Sequence, residues 1–219
     1  MLHYFTFRIF STLLTITLYS TVVQCHPHSW VTLKSDFILN NQSDLTEIRQ
    51  RWRFDHFYSS ITIAEIKNEF GDRNKKGFHI RAKQITKNLK QYNFFSRLII
   101  NDNNKKLPKP KNAYLNILEE DGLQILELEM HFEFSVPIKI ENKKVSWSVY
   151  DPTYYISMLY EDLTEFVVIG GNATECSKEL FIPEPSEETI NYARSLDQGQ
   201  KGTAGLGDSF AEQILLNCY

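Results

Sequence analysis

The sequence predicts an α+β fold that is mainly antiparallel β and sandwich-like, with one inserted helical hairpin. Alternating apolar and polar residues recur from residue 30 to the C-terminal region, a period of two that is typical of half-buried strands. Between about residues 56 and 92 the apolar spacing changes to three and four residues, which is typical of amphipathic helices. About 194 residues follow position 25, which suffices for one domain with a core, so we expect a single domain over residues 26–219, and no internal repeat is visible.

The first 25 residues have the layout of a cleaved secretory signal peptide. A short segment with one arginine is followed by an apolar run from Ile9 to Val23. That run is about 15 residues long and contains several hydroxyl side chains, whereas a bilayer-spanning helix needs about 20 apolar residues. We therefore expect export to the periplasm, with residues 1–25 removed and His26 as the first mature residue. A competing cleavage before Cys25 would leave a lipidated thiol at the terminus instead.

Charge composition argues against two classes of partner. The chain carries 24 Lys and Arg against 27 Asp and Glu, for a formal net charge of −3. No block of like charge is large enough to suggest nucleic acid or an anionic membrane surface. No G-x-S-x-G or H-E-x-x-H motif holds a nucleophile or a metal in a known frame, so we do not expect an enzyme.

The first strands form a predicted hairpin. Residues 30–39 and 46–54 both alternate, and the polar run 40–44 between them is typical of a turn. On the second strand, arginines recur at every other position, and we expect this row to be a solvated face. These residues are Arg49, Arg51 and Arg53.

The helical hairpin follows directly. Asp55 is placed to cap a helix over about residues 57–70, and a second helix is expected up to about Tyr92. The break between them has the outline of a calcium loop, from Asp72 to Lys83. However, Lys76 and Lys83 occupy positions where calcium requires oxygen ligands, so we expect the Asp, Asn and Gly of this segment to serve turn geometry instead.

The remaining elements are shorter. A hairpin is expected over residues 113–118 and 123–134, with further strands over 94–100, 145–150 and 165–170, a short helix over 187–196 and a flexible glycine-rich loop over 199–207. Two cysteines, Cys176 and Cys218, remain after the leader, and in an exported chain they predict a disulfide. Because Cys218 must then reach Cys176, we favour a strand over a helix for the last segment.

The candidate metal site is the segment that follows the leader. After cleavage, His26, His28 and the α-amine would place three nitrogen donors within three residues. Pro27 has no amide hydrogen, which blocks the square-planar mode that needs a deprotonated amide at position two. A chelate of the α-amine and His26 remains, with His28 as a third ligand, and it suits copper or another borderline ion such as nickel, cobalt or zinc. An exposed, disordered terminus is the alternative interpretation.

A zinc site would need a further ligand from the folded body. The candidates are His131, Asp55 and Asp151. His131 alternates with two glutamates on one face of its strand, which makes a ligand role and a structural role equally plausible. His56 and His79 are interpreted as structural or solvent-exposed.

Four segments of the chain resemble one family. They are His26-Pro27-His28-Ser29-Trp30, Trp52-x-Phe54-Asp55-x-Phe57-Tyr58-Ser59, Tyr150-Asp151-Pro152-Thr153-Tyr154-Tyr155, and Gly205-Leu206-Gly207 with Phe210-Ala211-Glu212 before Cys218. In this order they are similar to the bacterial exported family named domain of unknown function 1007. The resemblance implies a periplasmic component of an uncharacterised transport system, associated with membrane transporters for nickel, cobalt or zinc.

Two functions are therefore expected from the sequence. The first is a periplasmic transition-metal-binding protein, accessory to metal-ion transport, that binds through the N-terminal His-Pro-His. The second is an exported interaction module that docks a membrane transporter without binding a metal. A redox enzyme with a copper brace would in addition need an open coordination position and a substrate groove.

Overall fold

The structure is a computed structural model that describes residues 27–71, 74–171, 176–196, 200 and 202–219. The predicted signal peptide, Cys25 and His26 lie outside the described residues, so their predictions stay predictions.

A six-stranded sheet forms the centre of the fold. Its strands are β1 (Ser29–Leu39), β2 (Leu45–Phe54), β5 (Asn112–Glu120), β6 (Leu123–Ile138), β8 (Ile156–Leu159) and β9 (Phe166–Ile169). The antiparallel order is β5-β6-β2-β1, which confirms both predicted hairpins. On its other side β1 pairs in parallel with β8 along its first half and with β9 along its second half. Strand β8 was not predicted from the sequence.

The predicted helical hairpin is confirmed. Helix α1 (His56–Phe70) is capped by Asp55, as expected, and α2 (Asn74–Leu89) continues into a 3₁₀ turn over Lys90–Phe95. The role predicted for Gly77 is wrong, because this glycine lies inside α2 rather than in a turn. A Cβ at Gly77 would lie 2.5 Å from the ring of Phe70, so the glycine allows close packing of the two helices.

Two smaller sheets complete the strand layer. One contains β3 (Ser96–Ile100), β4 (Asn103–Lys105) and β7 (Lys143–Val149), and the other pairs β10 (Cys176–Phe181) with β11 (Gln213–Cys218). Cys176 lies opposite Cys218 in the register and forms a disulfide with it, as predicted. The last segment is therefore a strand, and the predicted short helix is present as α3 (Glu187–Ser195).

The core lies on one face of the large sheet. Trp147 of β7 is fully buried, with its ring 6.5 Å from Phe37 and 6.2 Å from Phe132. Its indole N–H lies 3.0 Å from Gln50 Oε1 and 3.2 Å from Ser35 Oγ. Because these buried polar groups satisfy one another, the core tolerates them at strand positions that face inward. The fold is α+β, as predicted.

The opposite face of the large sheet carries the row of three arginines. Each arginine is paired with a carboxylate: Arg49 with Glu47 at 2.7 Å, Arg51 with Asp36 at 2.7 Å and Arg53 with Glu120 at 3.1 Å. Asp36 is only 8% exposed, and burial raises its pKa more than the charge of Arg51 lowers it. The arginine side chains keep 20–39% of their surface exposed, so this face is partly solvated, but acids of β1, β2 and β5 pair with all three guanidinium groups.

Candidate functional site

The start of β1 lies between two other segments of the chain. The backbone N–H of His28 donates to the carbonyl oxygen of Tyr155 at 2.9 Å, and the two rings lie 4.7 Å apart. Ser29 then pairs with Ile156 in the parallel register of β1 and β8. His28 is therefore fixed to the sheet rather than part of a loose end.

Asp55 lies on one side of this start. Its Oδ2 accepts hydrogen bonds from the Ser29 hydroxyl at 2.8 Å and the Trp30 N–H at 3.2 Å, while Oδ1 accepts from the Tyr58 N–H at 2.8 Å. Burial acts to raise the pKa of Asp55, but these donors, with the Phe57 N–H, together lower it. Both oxygens thus join the start of β1 to the start of α1.

Asp151 lies on the other side and is 6% exposed. One carboxylate oxygen accepts from the N–H and the hydroxyl of Thr153, both at 2.9 Å. The other accepts from the N–H groups of Tyr155 and Ile156, both at 3.1 Å. The carboxylate of Asp151 therefore organises the turn that presents the carbonyl group of Tyr155 to His28.

The segment around Gly207 packs against the turn that Asp151 organises. Gly207 donates its N–H to the carbonyl oxygen of Pro152 at 3.1 Å, and a Cβ at this glycine would lie 1.9 Å from the carbonyl oxygen of Asp151. The rings of Tyr154 and Phe210 stack with centroids 3.8 Å apart. The four segments that carry the family resemblance thus meet at one corner of the fold, which we call the β1 corner.

One cluster beside the β1 corner was missed by the sequence analysis. The Tyr150 hydroxyl donates to Asp208 Oδ1 at 2.8 Å, and the Arg97 guanidinium contacts the same oxygen at 2.8 Å while lying 5.0 Å from the centre of the Tyr150 ring. Burial, and then the hydrogen bond to Asp208, raise the pKa of Tyr150 to about 12. No sequence signal joins these residues, because they come from three distant segments.

His131 lies elsewhere. Its Nδ1 is 2.8 Å from Glu47, its Nε2 is 2.5 Å from Glu129, and it pairs with Arg49 across β2 and β6. Arg49 lies on β2 six residues before Asp55, which directly follows this strand, a distance of about 20 Å at the rise of an extended strand. The structure therefore does not bring His131 to the β1 corner.

The structure thus brings three of the candidate ligands, His28, Asp55 and Asp151, to one corner. Within the described part of the chain, no group of three or more His, Cys, Asp or Glu side chains is arranged to hold a metal ion. His56 and His79 are exposed on α1 and α2.

Comparison with known proteins identifies the family. A family model described as "Protein of unknown function (DUF1007)" matches residues 11–218. The chain belongs to this family. An uncharacterized protein of Haemophilus influenzae is 31% identical over 203 residues, which cover 90% of this chain and 92% of that protein. No solved structure matches the chain. Membership of the DUF1007 family confirms the resemblance found in the sequence.

None of the helices described for this DUF1007 protein combines the length and the apolar character needed to cross a membrane.

Proposed function

We propose that this chain is a periplasmic protein that binds a transition-metal ion through its N-terminal His-Pro-His and is accessory to the transport of nickel, cobalt or zinc. The observation that supports the proposal is the hydrogen bond between the His28 N–H and the Tyr155 carbonyl oxygen. This bond fixes the backbone of His28, which carries one of the proposed imidazole ligands, at the start of β1. Fixing a ligand in advance reduces the conformational entropy that metal binding would otherwise cost.

The contacts at the β1 corner narrow the proposed set of ligands. The carboxylate oxygens of Asp55 and Asp151 accept hydrogen bonds from backbone and hydroxyl groups. These hydrogen bonds must be broken if either carboxylate is to coordinate a metal ion. In the proposal these acids position the terminus, and the ligands are His26, His28 and the α-amine. Nitrogen donors of this kind fit copper, nickel, cobalt and zinc.

The first experiment combines intact mass with metal titration. The exported protein is purified, its first residue is identified by mass, and nickel, cobalt, zinc and copper are titrated by calorimetry. We expect one ion per chain, and a loss of affinity of about 100-fold or more when two ligands are removed in His26→Ala with His28→Ala. The matched control, His56→Ala with His79→Ala, removes two exposed imidazoles and should bind as the wild type does.

A second version of the protein tests the α-amine. One extra residue before His26 displaces the amine and leaves both imidazoles in place. Weaker binding of this form supports the chelate, whereas equal affinity rejects the amine as a ligand. Unchanged affinity of the variant without His26 and His28 would overturn the whole proposal.

A docking function is the second candidate, and one feature favours it. Three large apolar side chains are exposed around the capping residue Asp55: Trp30 is 51% exposed, Phe57 75% and Ile61 45%. Phe57 and Ile61 are four residues apart on α1 and so share a face, and the Trp30 N–H is bonded to Asp55. An exposed apolar patch of this kind is typical of a protein interface.

The two candidates are distinguished by an association test. A photo-activated cross-linker at position 61 should join the chain to a membrane transporter, and Phe57→Ser should abolish the cross-link without loss of stability. Association that persists in the metal-free variant without His26 and His28 selects the docking function. Association that requires the metal supports the first proposal.

A further inference from the structure

A second concave site lies between α2 and the start of β5. Its volume is about 640 Å³. The residues that line it come from α2, the turn after α2, and the connector into β5: His79, Lys83, Thr86, Lys87, Lys90, Phe94, Lys109, Pro110, Lys111, Asn112, Ala113 and Tyr114. We call this site the lysine groove. None of its residues belongs to the β1 corner.

The charge of the groove is one-sided. Five of the lining residues are lysines and one is a histidine, with no Asp or Glu among them, although the chain as a whole has a net charge of −3. Lys83 and Lys87 on α2 and Lys90 at the start of the 3₁₀ turn are spaced by four and three residues, so they form one row about 10 Å long. Lys109 and Lys111 line the groove from the connector into β5.

Most of this positive charge is not neutralised by the protein. Lys111 pairs with Glu133 at 2.6 Å. In residues 27–71, 74–171, 176–196, 200 and 202–219, none of the other four lysines takes part in an ion pair. Like charges at this spacing repel, and a cleft with walls of one sign concentrates the electrostatic potential that attracts an oppositely charged ligand.

The groove also has an apolar surface. Phe94 is 4% exposed and packs against Phe132 with ring centroids 5.4 Å apart, while Pro110, Ala113 and Tyr114 line the side nearest β5. The backbone that presents Phe94 is strained, because three consecutive non-glycine residues have positive φ. These angles are 51° at Asn93, 56° at Phe94 and 53° at Phe95. Strain of this kind is concentrated at functional sites.

We propose that the lysine groove binds a small organic polyanion, which carries at least two negative charges on carboxylate or phosphate groups and has an apolar body. The volume lies within the range of small-molecule sites, about 300–1,000 Å³. The two sets of lysines match separated anionic groups, and the floor around Phe94 matches the apolar body. A flat anionic membrane would meet the rims of the groove but not this floor. The inference goes beyond the proposed metal function and does not depend on it.

The proposal is tested by calorimetric titration of the full chain with two aromatic probes, benzenetricarboxylate and naphthyl phosphate. The two probes distinguish a carboxylate ligand from a phosphate ligand. We expect one of them to bind in a 1:1 complex that weakens as salt is added, because the contacts are ionic. Citrate has three carboxylates but no apolar body and should bind more weakly than benzenetricarboxylate.

Two variants with the same change in charge separate the groove from general electrostatic attraction. The groove variant is Lys83→Gln, Lys87→Gln and Lys90→Gln. The control variant is Lys75→Gln, Lys76→Gln and Lys105→Gln, which alters three exposed lysines outside the groove. We expect the groove variant to bind the probe at least about tenfold more weakly, and the control variant to bind within about twofold of the wild type.

Amine labelling of the wild-type protein gives a readout that needs no variant. The bound probe should protect Lys83, Lys87 and Lys109 from acylation and leave Lys75 and Lys105 reactive. Equal binding by the two variants would overturn the proposal, and so would the absence of binding by either aromatic probe below about 1 mM. Binding to phosphatidylglycerol vesicles alone, without either small probe, would also overturn it, in favour of a membrane surface.

Discussion

The backbone N–H of His28 donates to the carbonyl oxygen of Tyr155 at 2.9 Å, between two segments far apart in the sequence. The carboxylate of Asp151 in turn accepts the N–H of Tyr155 at 3.1 Å. The position of the His-Pro-His segment is therefore set by a buried acid whose side chain need not touch a metal. This relationship separates residues that would bind an ion from residues that would only place the ligands.

Asp151→Asn tests this separation. The amide retains one acceptor oxygen, so two of the four hydrogen bonds to the carboxylate are lost, and we expect the free energy of unfolding to fall by at least about 2 kcal/mol. Urea denaturation measures the loss. In the exposed turn at Asp162, which caps Thr164, the change Asp162→Asn should have little effect.

The same variant also tests the assignment of ligands. Under conditions in which Asp151→Asn is folded, calorimetry should still find one metal ion per chain, because Asp151 positions the terminus. Complete loss of metal binding by the folded variant, together with retained binding by the Asp162 control, would instead make Asp151 a ligand.

Gly207→Ala is expected to be strongly destabilising. The new Cβ would lie 1.9 Å from the carbonyl oxygen of Asp151, and backbone atoms on both sides would have to move. We expect a loss of more than about 3 kcal/mol, measured by thermal or urea unfolding. Gly122→Ala is the control, since no atom lies within 4 Å of its added Cβ and only its φ of +78° is unfavourable. That change should cost about 1–2 kcal/mol. Equal losses in the two variants would contradict close packing at Asp151.

Glu212 gives a pH-dependent prediction. It is 5% exposed and accepts the Tyr160 N–H at 2.7 Å, and burial raises its pKa above the ordinary 4.5 more than this hydrogen bond lowers it. The native state thus holds the proton more tightly than the unfolded chain does. As pH rises from about 4.5 through the raised pKa, Glu212 loses its proton in the native state and the free energy of unfolding should fall. Above that pKa Glu212 should cause no further fall.

Two variants isolate the contribution of Glu212. Glu212→Gln keeps an acceptor for Tyr160 and removes the charge, so it should gain stability over the wild type as pH rises from about 4 to about 8. Glu212→Ala leaves the buried Tyr160 N–H without an acceptor and should be about 1–3 kcal/mol less stable than Glu212→Gln at every pH in this range. A constant difference between the glutamine variant and the wild type across this range would show that the pKa of Glu212 is not raised.

The disulfide gives a fourth prediction. Cys176 and Cys218 are 42 residues apart, and closing a loop of this size should stabilise the fold by about 4 kcal/mol in the chain-entropy model. Cys176→Ser with Cys218→Ser should lower the free energy of unfolding by about this amount in urea. Reduction of the wild type should reproduce the loss, whereas reduction of the double variant should change nothing.

The successes and failures of the sequence analysis have a common cause. Alternation over residues 30–39 and 46–54 predicted β1 and β2 closely, because the apolar residues of a strand mark the face that packs against the core. The same pattern could not show that Arg51 is paired, since the acid that pairs with it, Asp36, lies on another strand. Gly77 was assigned to a turn because the ring of Phe70, which requires the glycine, is not visible from local spacing.

The sequence by itself determined the α+β class, the helical hairpin, the Cys176–Cys218 pairing and the segments of interest, because each of these follows from local periodicity or from residue type. Only the tertiary structure decided that His28, Asp55 and Asp151 meet at one corner while His131 lies about 20 Å away along the sheet. It also decided that lysines of α2 and of the β5 connector line one groove. The physical reason is that parallel pairing and helix-to-sheet packing depend on contacts between distant segments, which leave no period in either segment alone.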